Sequence, residues 1–315
     1  MTAFGYLLPT REVVMAQAAP DFGAVLALAE HAEALGFDSV WVGDSVLARP
    51  RLEAFTTLAA VAARTRRVRL GTAILLLALR QPVVLANELA NLDIVSGGRL
   101  TLGLGVGSKT DTVAREFEAC GVPMAQRVGR FEETIDLLRA LWTQPEVTYE
   151  GRYFQLRGVK LGLKPAQRPG PPLWLAGHVD PAYRRVLRQA DGWLPNPPSP
   201  ASFTAGLARL DELGREMQRD ARTLHRGVYT TLNINPDAVQ ADREIRTFLE
   251  GYYGAPYASQ SRRHSHCAGS AETCAAWLQA FIDAGAQSFV LRFGGSDQRA
   301  QLDRFANTVL PRVRR

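Results

Sequence analysis

A helix followed by a short apolar strand recurs along the whole chain, and this alternation constrains the fold more than any other feature. Residues 21–35 carry apolar side chains at helical spacing (Phe22, Val25, Leu26, Ala29), with Asp21 placed as an N-cap and Gly36 as a stop; "SVWVGDS" follows. Residues 54–64 precede "VRLGTAIL", and residues 82–95, opened by Pro82 and closed by "SGG", precede "RLTLGLGVG". The longest predicted helix, 124–142, lines up Phe131, Ile135, Leu138 and Leu141 on one face. "EVTYEGRYFQLRG" alternates around a Glu-Gly turn and reads as a hairpin. Predicted helices over 181–189, 202–219, 271–283 and 298–309 then alternate with "PPLWLAG", "DGWLPN", "GVYTTLNIN" and "SFVLRFGG". With "AFGYLLP" at the start, eight strands are expected, apolar on both faces as in a buried parallel sheet. The pattern predicts an α/β fold: one closed (β/α)8 TIM barrel spanning residues 1–315, with insertions on its catalytic face.

Composition removes several function classes. The 37 basic and 31 acidic residues leave a net charge of +6, spread along the chain apart from the basic terminus "LPRVRR". No clustered basic face is legible, so nucleic acid is not an expected partner; the excess favours solubility and attracts anionic ligands. Cys120, Cys267 and Cys274 are an odd and sparse set that implies no disulfide framework. "MTAFGYLLPT" lacks the basic start and apolar core of a signal peptide. "LGTAILLLAL" is apolar for only ten residues, too short to span a bilayer. The expected location is the cytoplasm, with no membrane partner.

Barrel sites sit at the carboxyl ends of the strands. "GFDSVWVGDS" therefore presents Asp44 and Ser45 at the mouth, although Asp44 could instead cap the next turn. The fourth strand ends in "GLGVGSK" and the fifth in "AGHVD". Free N–H groups in such turns form anion cradles, here at residues 105–108 and 176–178, which suggests a phosphate-bearing cofactor. "GLGVG" is not the dinucleotide fingerprint, because its third glycine arrives one residue early and no helix starts at once. Residues 271–283 already form the helix that returns to the eighth strand, so residues 236–269 are extra and sit on the catalytic face as a lid-like insertion. That segment carries Tyr252, Tyr253, Tyr257, His264 and His266, and is expected to be mobile until a flat ligand binds. "HSHC" fits no zinc spacing, and no metal is expected.

"AEALGFDSVWVGDS", "RVRLGTAILL", "QPVVLANELANLDIVSGGRLTLGLGVG", "RFEETIDLLRALW", "YEGRYFQLRGV" and "PPLWLAG", in this order, cover nearly the whole chain. Together they resemble the bacterial luciferase-like flavin-dependent oxidoreductases, (β/α)8 barrels that use FMN or the deazaflavin coenzyme F-420. The resemblance implies that Asp44 lies against the cofactor ring and that Ala73–Ile74 is a non-proline cis peptide beneath it, with Thr72–Ala73 the choice if the register is one residue off. Gly107 and Ser108 would form one phosphate-side turn, and Gly177 and His178 the other; Gly105 and Ala176 join them as cofactor-binding candidates from the anion cradles read above. Ser45 would donate to ring or substrate, and His178 would be a proton donor or phosphate ligand. Arg49, Tyr253, Tyr257 and His264 are the expected substrate wall.

The departures matter as much. The deazaflavin-dependent sugar-phosphate dehydrogenases of this family have His, Trp and Glu where this chain has Ser45, Arg49 and Ser108. A sugar hydroxyl is therefore not the expected substrate. FMN monooxygenases of the family often carry "EH" or "HH" where this chain has "DS". The expected activity is coenzyme F-420-dependent hydride transfer to or from a small organic substrate. The alternatives are an FMN monooxygenase using reduced flavin and dioxygen, and a flavin-binding barrel without turnover. A homodimer through the alanine- and leucine-rich second and third helices is expected, and a separate flavin or deazaflavin reductase is a possible partner.

Overall fold

The computed structural model describes residues 2–16 and 19–313. The strands in chain order are β1 (Ala3–Leu7), β2 (Ser39–Val42), β3 (Arg69–Leu75), β4 (Leu100–Leu104), β5 (Val147–Glu150), β6 (Gln155–Val159), β7 (Leu173–Leu175), β8 (Gly192–Trp193), β9 (His225–Ile234), β10 (His266–Gly269) and β11 (Ser288–Phe293). Around the sheet the order is β9-β11-β1-β2-β3-β4-β7-β8, and β8 pairs back onto β9. These eight strands close a parallel barrel, as the apolar runs predict. β5 and β6 pair with each other as the expected hairpin. Its turn rests on helix Arg127–Thr143, where Glu133 accepts the backbone N–H groups of Arg152, Tyr153 and Phe154.

β2 shows how the strands are read. Val40 and Val42 face outward into the large core beneath the helices. Trp41, between them, points into the barrel with Leu7, Leu194 and Val290. Its indole needs room, and a Cβ at Gly5 or Gly71 on the neighbouring strands would collide with it. Glycine there is required by close approach rather than by a turn. The resulting plug fills the barrel below the mouth, as side-chain layers do in this architecture.

The helices follow the predicted periodicity, with local additions. The predicted helix 124–142 begins as a 3-10 turn at Met124–Gln126 and continues as Arg127–Thr143. Helix Asp111–Ala119 follows β4 and has no counterpart among the predicted helices. The last helix widens into a π turn at Phe305–Val309 and continues to Val313.

The insertion is built on the ten-residue length of β9. The first residues of β9, His225 and Arg226, pair with β8; its last four, Thr231–Ile234, pair with β10. β9 thus exchanges one neighbour for another as it rises, and the barrel opens between β8 and β9 at the mouth. Residues 236–269 fill that opening with helix Ala238–Tyr253, the short helix Tyr257–Gln260 and β10. The longer helix buries Ala241, Ile245, Leu249 and Tyr252, so this part of the segment is anchored by an apolar stripe.

Candidate active site

A cavity of about 370 Å³ opens at the carboxyl ends of the strands. That is within the usual range for small-molecule sites. Of the residues expected to form a site, Asp44, Ser45, Arg49, Ala73, Ile74, Gly105, Gly107, Ser108, Ala176, Gly177, His178, Tyr253 and His264 all line it. Thr72 and Tyr257 do not. Thr72 is fully buried and its hydroxyl donates to the Gly103 carbonyl, joining β3 to β4. The Tyr257 hydroxyl pairs with His266 Nε2 at 2.8 Å, and the Arg246 guanidinium lies over its ring.

The Ala73–Ile74 peptide bond is cis. Asp44 stands beside it, but its carboxylate is already engaged. Arg80 reaches both oxygens, at 2.6 and 3.0 Å, and the Leu76 N–H donates to one of them at 2.9 Å. The Asp44 side chain is only 5% exposed. Asp44 therefore ties the end of β2 to the segment that leaves β3, while its backbone and Cβ form cavity wall. Ser45 is similarly occupied. Its hydroxyl donates to Glu116 Oε1 at 2.7 Å and accepts the Arg49 N–H. The same Glu116 oxygen accepts the N–H groups of Val46, Leu47 and Ala48, so one buried carboxylate from helix Asp111–Ala119 organises the whole β2 turn.

On the side of β4 and β7, two glycines hold conformations that other residues rarely adopt: Gly107 at φ +78° and Gly177 at φ +126°. The helices that follow, Asp111–Ala119 and Asp180–Gln189, begin at Thr110 and Val179 with no side-chain cap. Helix Arg127–Thr143 likewise has no side-chain cap, whereas other barrel helices are capped by Asp21, Glu53, Gln81, Ser199 and Ser270. The turns at residues 106–108 and 177–178 line the cavity, and it is their backbone N–H groups that are placed to meet a phosphate. Val106, Val113, Ile74 and Leu194 give the adjoining wall its apolar character. The residues present fit a flat ring system with a phosphate-bearing side chain. His178 and Ser108 are exposed at the rim of this half.

The opposite half is aromatic and basic. Tyr252 and Tyr253 end helix Ala238–Tyr253, and Tyr253 stacks on His264 with centroids 4.1 Å apart. Asn196, beyond β8, latches this corner across the open side of the barrel. Its Oδ1 accepts the Ser265 N–H at 2.6 Å, which leaves its amide to donate to His264 Nδ1 at 3.3 Å. His264 therefore carries its proton on Nε2 and is a donor there. Burial, followed by the charges of Arg292, Arg49 and Arg263, lowers its pKa to about 3, so it stays neutral. Tyr229 also lines the cavity, and burial raises its pKa well above the ordinary phenol range. No group of His, Cys, Asp or Glu among the described residues could hold a metal ion.

Sequence reasoning missed Arg51, Arg80, Glu116, Asn196, Tyr229, Arg263 and Arg292. Arg292 had a legible signal, a charge inside the apolar strand "SFVLRF". Arg80 and Glu116 act on residues 36 and 71 positions away, which no local pattern reveals.

The comparisons with known proteins agree with this geometry. The family model described as luciferase-like monooxygenase matches residues 2–288. The F-420-dependent glucose-6-phosphate dehydrogenase of Amycolatopsis mediterranei (strain U-32) is 28% identical over 325 aligned positions, covering 91% of this chain and 93% of that protein. Solved structures share the fold. An F-420-dependent secondary alcohol dehydrogenase in complex with an F-420–acetone adduct has a TM-score of 0.84 at 22% identity, covering 100% of this chain and 99% of the other. The monooxygenase RslO1 from Streptomyces bottropensis has a TM-score of 0.83 at 24% identity, covering 98% and 99%. A family model that spans nearly the whole barrel, on a mouth with the expected cis peptide and glycine turns, places this chain in the luciferase-like monooxygenase family, as an oxidoreductase.

Proposed function

We propose that this protein is a coenzyme F-420-dependent oxidoreductase that moves hydride to or from a small organic substrate. The observation that carries the reading is the division of the mouth into two unlike halves. One half offers glycine turns to a phosphate; the other offers aromatic rings and a neutral histidine to a second ligand. The similarity to a dehydrogenase named for F-420 over nine-tenths of both chains supports this cofactor over FMN.

Coenzyme F-420, when bound, supplies hydride chemistry at its ring. The chain supplies the rest. The turns at Gly107 and Gly177 would bind the phosphate, and Ile74, Val106 and Leu194 would shield one ring face from water. Asp44 and Arg80 hold the β3 exit rigid beneath that face. His264 would orient a substrate oxygen through Nε2–H. Because it is neutral throughout the ordinary pH range, it acts as a hydrogen-bond donor rather than an acid. Ser45, Arg49 and Ser108 stand where the sugar-phosphate dehydrogenases of the family carry His, Trp and Glu, so glucose 6-phosphate is not the proposed substrate.

Titrating the purified protein separately with coenzyme F-420 and FMN, each followed by its own fluorescence, tests the reading. F-420 should bind at least about tenfold more tightly, a gap of about 1.4 kcal/mol. Tighter FMN binding would overturn it in favour of a monooxygenase, and a separate reductase would then have to supply reduced flavin. The proposed assembly is a homodimer. Its support is the apolar surface of helix Pro82–Val95, where Val84, Ile94 and Val95 are exposed, together with Val46 and Leu47 on the β2 turn. No described helix is long and apolar enough to cross a membrane.

A further inference from the structure

The rim of the cavity opposite the glycine turns carries more positive charge than the chain neutralises. Arg11 follows β1, Arg49 and Arg51 follow β2, and Arg292 lies on β11. None of the four forms an ion pair among the described residues. Glu12 is a carboxylate that acts electrostatically on Arg11, Arg51 and Arg292, and burial raises its own pKa, which weakens it as a counter-charge. Arg11 and Arg49 are close enough to oppose each other's charge, as are Arg11 and Arg51.

The donors are also incompletely used. Arg292 is 1% exposed, and its Nε and Nη2 reach Thr231 Oγ1 while Nη2 also reaches the Tyr253 hydroxyl. Its Nη1 is buried and has no partner, and the same holds for Arg11 Nη1. Arg51 donates through Nε to the Arg49 carbonyl, and its guanidinium occupies space that a Cβ at Gly43 would fill. Arg49 lies over the ring of Tyr253, 5.1 Å from its centroid. Arg49 and Arg51 line the cavity, with Arg292 and Arg11 behind Tyr252 and Tyr253.

Crowded, partly desolvated like charges with idle donors are costly for a folded chain unless an anion joins them. A guanidinium pair matches an oxyanion in charge and in planar geometry. We propose that the substrate carries an oxyanionic group, a carboxylate or a phosphate, which Arg49 and Arg51 hold in the field of Arg11 and Arg292. This rests on the reading of the same cavity as a cofactor and substrate site. The cofactor phosphate has its own cradle across the barrel, at the ends of β4 and β7. The Tyr253–His264 stack beside the arginines suits a flat body attached to that anion.

The test uses the F-420-loaded protein and three probes of one shape: benzoate, phenyl phosphate and benzamide. Binding is read by calorimetry. At least one of the two anions should bind about tenfold or more tightly than benzamide, and its affinity should fall as salt rises. The arm that wins identifies carboxylate or phosphate as the group. In the Arg49→Gln/Arg51→Gln variant the preference should shrink to about twofold, with F-420 affinity unchanged within about twofold. Gly43→Ala provides a second variant in which Arg51 is kept but its guanidinium is pushed aside; it should also weaken the anion. Equal binding of all three probes to the unaltered protein would overturn the proposal. So would a double variant that keeps the anion preference but loses F-420, because the arginines would then serve the cofactor. A protein that binds neither F-420 nor FMN overturns the proposed function instead, and the same three titrations on that protein still decide the oxyanion preference.

Discussion

Asp44 was the first residue to suggest a site, and its side chain turns out to serve cavity and scaffold together. Its carboxylate meets Arg80 with both oxygens in a setting where the two side chains are 5% and 17% exposed. Removing one partner of such a pair leaves a poorly solvated charge. Asp44→Asn keeps an acceptor for the Leu76 N–H but removes the charge, and should cost about 3 kcal/mol in urea unfolding. Arg80→Gln should cost about as much, and the double variant should cost clearly less than the two single losses added together. Strict additivity would mean that the pair is not coupled. Glu116 allows a sharper separation of stability from binding. One of its oxygens collects the Ser45 hydroxyl and three backbone N–H groups, those of Val46, Leu47 and Ala48. Glu116→Gln keeps an acceptor there and should preserve the turn. Glu116→Ala strands the donors, at about 1–3 kcal/mol for each one that stays buried, and should loosen residues 45–49. Because those residues carry Arg49, affinity for the preferred anion, benzoate or phenyl phosphate, should fall in Glu116→Ala by about tenfold while F-420 affinity changes little. Calorimetry on both variants checks this.

Among the elements, the strands were legible because a parallel barrel strand is apolar on both faces, and each one interrupts helical periodicity. "SVWV" shows this well: two valines and a tryptophan leave no polar face for water. The position of the insertion was legible too, since helix Ala271–Asp283 already accounts for the return to β11. Its internal structure was not. β10 exists because β9 outlasts β8 and offers its upper edge, a tertiary circumstance with no local signature. For the same reason Tyr257 read as a ligand wall, whereas its hydroxyl is taken by His266 within the insertion. Asn196 is the side chain that ties this element to the rest of the mouth. Asn196→Ala removes the acceptor of the Ser265 N–H and the donor to His264. Losing this latch should lower hydrogen-exchange protection of residues 261–266 by about tenfold, with the lower parts of β9 and β11 unaffected. Unchanged protection would show that pairing of β10 with β9 alone holds the segment in place.

For the whole molecule, the buried histidines make stability depend on pH in a direction that can be worked out. His225 begins β9 at the end of the barrel away from the cavity. It stacks on Trp174 at 4.3 Å and pairs through Nε2 with the Ser288 hydroxyl. Burial, helped by the charges of Arg226 and Arg69, lowers its pKa to about 4. His264 is lowered to about 3 and His266 is lowered as well, both chiefly by burial. In the unfolded chain a histidine titrates at about 6.5. Above that value neither state binds the proton, and the stability these residues contribute is fully present. Between about 6.5 and 4 the unfolded chain is protonated while folded His225 is not, so acid favours unfolding and stability falls with pH. The slope measures the difference in bound protons; most carboxylates add their share at lower pH, whereas Glu12, its pKa raised by burial, opposes the trend from the folded side. Urea unfolding followed from pH 7.5 to 5.5 should therefore show a declining free energy. In His225→Gln, which keeps a flat polar side chain beside Trp174, the number of protons taken up on unfolding near pH 5.5 should drop by about one. The His264 and His266 contributions would remain. A slope unchanged by the substitution would mean that His225 already takes up its proton in the folded barrel, and that the Trp174 stack does not keep it neutral.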